Sequence, residues 1–145
     1  MTAPLEWQPL APFGAEVSLN LSAPLDDAQA SQLRALLWQH GVVRARGQSL
    51  SMERQREICA LWGPILIREG EGPALSNASG HPAVVSPLSW HADAAYTDAP
   101  FDAIALHALD VVEDASSTVF VDAAAALDRL PASLRARLEH ADLDM

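Results

Sequence analysis

Lysine is absent from this chain, and cysteine and tyrosine each occur once. The nine basic residues are all arginines, scattered from Arg34 to Arg137, and the formal net charge is -10. Without a basic cluster there is no footprint for a phosphate backbone, which argues against a nucleic-acid partner. A lone Cys59 permits neither an intrachain disulfide nor a cysteine-based zinc site. No apolar run approaches membrane-spanning length. The opening residues, MTAPLEWQPLAPFG, lack the basic region and long apolar stretch of a secretory signal. The expectation is a cytoplasmic protein with no membrane partner. Internal repeats are missing, as are low-complexity tracts beyond the alanines at 123–126.

Half of the 145 residues are hydrophobic and 19% are charged. That suits one globular domain, residues 1–145, with a core of its own. Pro9, Pro12 and Gly14 make the first residues a loop, and a short strand follows around 16–21. Asp26 reads as a helix N-cap with Gln29 as its capping-box partner. Leu33, Leu36, Leu37 and His40 share one helical face, and Gly41 ends that helix. Residues 42–46 read as a strand. Ser51 caps a second helix, which carries Cys59 and turns Ile58, Leu61 and Trp62 inward before Gly63 and Pro64 stop it. Residues 68–80 form a surface loop of a length that is often functional.

Beyond that loop the pattern turns to strands, expected at 83–85, 90–94, 101–109 and 117–121. Asp122 caps a helix over 123–130, and Pro131 opens a last one with Leu134 and Leu138. The order predicts an α+β fold with a sheet or partial barrel.

The stretch SWHADAAY, residues 89–96, sets an imidazole and a carboxylate two residues apart between aromatic rings. On a strand, side chains at i and i+2 share a face, so His91 and Asp93 would enter the same side of a sheet. One neutral imidazole and one carboxylate suit a borderline divalent ion such as Fe(II). A surface His-Asp pair on an edge strand fits the triplet as well.

Five ordered blocks carry a wider resemblance: FGAEVSLNLSAPL at 13–25, HGVVRARGQSLS at 40–51, LWGPI at 61–65, WHADAAYTDAP at 90–100 and STVFVDAAAALDRLPASLRARLEH at 117–140. Together they resemble the taurine dioxygenase (TauD/TfdA-like) family of Fe(II)- and 2-oxoglutarate-dependent dioxygenases. The resemblance implies a double-stranded β-helix, or jelly-roll, with flanking helices. It implies His91 and Asp93 as the first two iron ligands and Thr118 as a hydrogen-bond donor to 2-oxoglutarate. Arg68, Trp90 and Tyr96 become candidate substrate contacts. The implied chemistry takes up O2 and 2-oxoglutarate and releases succinate, CO2 and a hydroxylated small organic acid or natural product.

The family's second metal histidine and its 2-oxoglutarate-binding arginine lie well beyond the His-x-Asp triplet. Only His107 and His140 follow Asp93 in this chain, and neither stands in that context. His107 reads as a packed or hydrogen-bonded histidine, and His140 matches a helix end. The expectation is therefore a partial jelly-roll, the C-terminal half of the family fold being absent. Either a complementing C-terminal half or a homo-oligomer would cover the exposed sheet. The competing readings are an inactive fragment serving as a binding or assembly module and a cupin-like metal-binding jelly-roll.

Overall fold

The computed structural model describes residues 4–66, 89–95, 97–111 and 117–141. Three strands open the chain's architecture: β1 (Glu6–Pro9), β2 (Ala15–Ser18) and β3 (Val43–Ala45). β2 is central, pairing antiparallel with β1 (Trp7 opposite Val17) and parallel with β3 (Glu16 opposite Arg44). β1 corrects the loop expected for the first residues. Pro9 lies at the end of an edge strand, where a missing N–H breaks no ladder.

The parallel step from β2 to β3 is made through α1 (Asp27–His40). Its start is fixed by local chemistry: the Gln29 amide donates to Asp26 Oδ1 at 2.8 Å, and the Asp26 amide donates to Gln29 Oε1 at 3.2 Å. At its end Gly41 takes φ +73° and donates its N–H to the Leu37 carbonyl, a left-handed cap that glycine adopts without steric cost. Leu33 and Leu36 of α1 meet Ala15 and Val17 of β2 in the core, which Leu5, Leu21 and Ile58 complete.

Two side chains clasp loops to this unit. Gln32 holds the Leu5 backbone at both its N–H and its carbonyl. Arg54, on α2 (Met52–Cys59), donates to the carbonyls of Leu21 and Ala23. Ser51 caps α2 through the Arg54 amide.

The later elements are α3 (Ala123–Asp128) and α4 (Ala132–Glu139), neither with a buried residue. Asp122 caps α3 through the Ala125 amide. Arg135 ties the two helices, donating to Asp128 and Glu139 at 2.8 Å each.

The fold is α+β with a three-stranded mixed sheet. The strands expected at 90–94, 101–109 and 117–121 are not formed among the described residues, and the strand expected at 83–85 lies outside them. The reason is physical. An apolar run becomes a strand only when a neighbour accepts and donates its ladder bonds, and no described segment pairs with these. Ile104, Leu106, Val119 and Val121 are accordingly each more than half exposed.

Candidate metal centre

His91 and Asp93 do converge, but through a turn and not through a strand pleat. The His91 Nε2 atom lies 3.1 Å from Asp93 Oδ1. On the other side of the ring, His91 Nδ1 lies 2.7 Å from the Ser89 carbonyl. A carbonyl only accepts, so Nδ1 carries a hydrogen and donates it. That leaves Nε2 facing a carboxylate, and a lone pair opposed to a carboxylate oxygen at this distance needs a cation between them. A proton on Nε2 meets the need, and so does a metal ion.

The donor set fits a metal. Divalent ions hold N and O donors at roughly 2.0–2.2 Å, so donors on adjacent corners of an octahedron lie about 3 Å apart. A backbone carbonyl on the far ring nitrogen, as on His91 Nδ1, is the kind of outer partner that orients histidines in metal sites generally. Both side chains remain open, His91 at 54% and Asp93 at 46% of full exposure. Among the described residues no third His, Cys, Asp or Glu joins them.

A family model for the Taurine catabolism dioxygenase TauD, TfdA family matches residues 6–143. The chain belongs to this family. Membership makes an iron- and 2-oxoglutarate-dependent dioxygenase the general kind of enzyme to which it is related.

Trp90 is 70% exposed, an open ring beside His91 and not a core residue. Thr118 is exposed in an irregular stretch and not on the strand expected for it. Arg68 and Tyr96 lie outside the described residues, as does His81. His107 is half-buried and does not approach the pair closely enough to form a three-donor group. His40 closes α1, its ring 4.9 Å from that of Trp7. A surface hollow of about 640 Å³ is lined by Phe13, Trp38, His40, Phe120 and Asp122, among others. Neither His91 nor Asp93 lines it. Among the described residues no helix is long and apolar enough to cross a membrane.

The sequence reading passed over Ser89, Ala94 and Thr97. Ser89 acts through a backbone carbonyl, which leaves no mark on residue identity. Ala94 takes φ +56°, where glycine or asparagine would have signalled the turn and alanine does not.

Proposed function

We propose that this chain supplies the iron-binding face of a non-haem Fe(II)- and 2-oxoglutarate-dependent dioxygenase acting on a small organic acid or natural product. The observation that carries the reading is the His91–Asp93 pair, with Nε2 and Oδ1 at 3.1 Å and Nδ1 committed to Ser89. In this reading His91 Nε2 and Asp93 Oδ1 hold Fe(II). Bound iron would supply one-electron and O2 chemistry that no side chain provides.

The chain's own residues bind and orient. Asp93 brings negative charge to a divalent ion, and Ser89 keeps the imidazole turned toward it. Thr118 offers a hydroxyl that can donate to a carboxylate without adding charge. Arg68 would pair with an acidic substrate group, and Trp90 and Tyr96 would wall the site. The stretches 101–109 and 117–121 are strands of a jelly-roll in this reading, completed by partner strands from outside the described residues, whether a complementing segment or a second copy.

The test is metal binding followed by anaerobic calorimetric titration with Fe(II). His91→Ala and Asp93→Ala are each expected to weaken binding by at least about 30-fold, about 2 kcal/mol, because each removes one of the two converging donors. Equal binding by the parent and both variants overturns the site. A second reading, an inactive binding or assembly module, draws on the exposure of Ile104, Leu106, Val119 and Val121. It expects no metal binding that depends on His91 or Asp93.

A further inference from the structure

Asp93 is held by a turn with an unusual centre. Ala94 has φ +56° and is 4% exposed. It follows Asp93 in the turn from Ala92 to Ala95, and it is the only non-glycine residue among those described with a positive φ. A side chain at this φ is strained, and such a residue persists only where its surroundings over-determine it. The turn's own backbone bond is weak, with the Ala95 amide 3.4 Å from the Ala92 carbonyl, at the long limit for such a bond. The stronger hold comes from two residues further on. Thr97 donates twice to the Ala94 carbonyl, through its amide at 3.0 Å and its hydroxyl at 2.8 Å.

We propose that Thr97 is a positioning residue for the metal pair, fixing Asp93 against His91 by bolting the turn at Ala94. The inference rests on the iron-binding reading above. Asp93 has a short side chain, so its carboxylate goes where the backbone sends it. If Ala94 relaxed to a negative φ, the chain direction at Asp93 would change and Oδ1 would swing away from Nε2. The Thr97 hydroxyl supplies the second bond that opposes this relaxation. Its hydrogen bond goes to neither His91 nor Asp93 but to the carbonyl of Ala94, in the peptide that joins Ala94 to Ala95.

The test uses the full chain and Mn(II) alone as probe. Binding is followed by loss of the free-ion electron paramagnetic resonance signal, with thermal unfolding in parallel. Thr97→Val keeps the shape and the amide bond but removes the hydroxyl. It is expected to weaken Mn(II) binding about tenfold, as the loss of outer-shell partners does, while Tm stays near that of the parent. Thr97→Ser keeps the hydroxyl and is expected to restore binding to near the parent value. Asp93→Ala is expected to lose it.

If Thr97→Val binds like the parent while Asp93→Ala does not, the positioning role is overturned and the metal reading stands. If Thr97→Ser is as weak as Thr97→Val, the hydroxyl is not the agent and the proposal falls. If Asp93→Ala binds like the parent, or the parent binds no Mn(II), the metal reading fails and takes this proposal with it.

Discussion

Cys59 shows how a single group reports on its surroundings. Burial at the end of α2 pushes its thiol above the ordinary range, and a backbone hydrogen bond pulls more weakly the other way. The folded chain therefore keeps this proton at a pH where the unfolded chain releases it. Between the two values the folded state binds more protons, so stability falls as pH rises from about 8.5, the ordinary thiol value. The urea midpoint of the parent is expected to drop more between about pH 7.5 and pH 10 than that of Cys59→Ala. Equal drops would mean that the thiol is not held in its protonated form. At the same scale, the approach of His91 to Asp93 was legible in their i, i+2 spacing. The device that joins them was not. A strand pleat and a turn both bring i and i+2 together, and the turn here is centred on an alanine whose φ no residue type announces.

Elements were legible where their boundaries are local chemistry. Asp26 with Gln29 and Gly41 with the Leu37 carbonyl mark both ends of α1 within a few residues of chain, and Ser51 and Asp122 do the same for the starts of α2 and α3. Strands were less legible because their evidence lies elsewhere in the chain. β1 exists because β2 pairs with it, and nothing in Glu6, Trp7, Gln8 and Pro9 alone says so. Residues 103–108 carry the converse case, an apolar run with no ladder partner among the described residues. The helix ends make a direct prediction. Asp26→Ala removes the side-chain acceptor for the Gln29 backbone amide and leaves that N–H unsatisfied at the helix start, at a cost of about 1–2 kcal/mol. Because α1 supplies Leu33 and Leu36 to the core and Gln32 to the Leu5 clasp, the loss reaches the whole sheet-helix unit. Circular-dichroism melting is expected to show Tm lowered by about 3–8 °C. Asp26→Asn, which still accepts the bond, is expected to recover most of it.

At the scale of the molecule, the buried core and the proposed site lie in different parts of the chain. Leu5, Ala15, Val17, Leu21, Leu33, Leu36 and Ile58 form the core, and all belong to the first 62 residues. Among the described residues from 89 onward, Trp90, Ile104, Leu106 and Val119 are open, and Ala94 alone is buried. Oxidative chemistry of the family kind needs a dry site that shields reactive species from water, and an open pair does not provide one. The donor count points the same way: two donors converge, and no third joins them among the described residues, where a facial triad uses two histidines and a carboxylate. A missing partner in such a contact costs roughly 2–5 kcal/mol, about 30-fold to several-thousand-fold in affinity. The 145-residue chain by itself is therefore expected to bind Fe(II) weakly and to leave 2-oxoglutarate unconverted. The measurement is an anaerobic titration with Fe(II) and 2-oxoglutarate, watched for the visible charge-transfer band of a ternary complex, then a succinate assay in air. A clear band with succinate above the metal-only blank would mean that a third donor completes the site. A partner chain would then be the first place to look, with His107→Ala as the check within this chain.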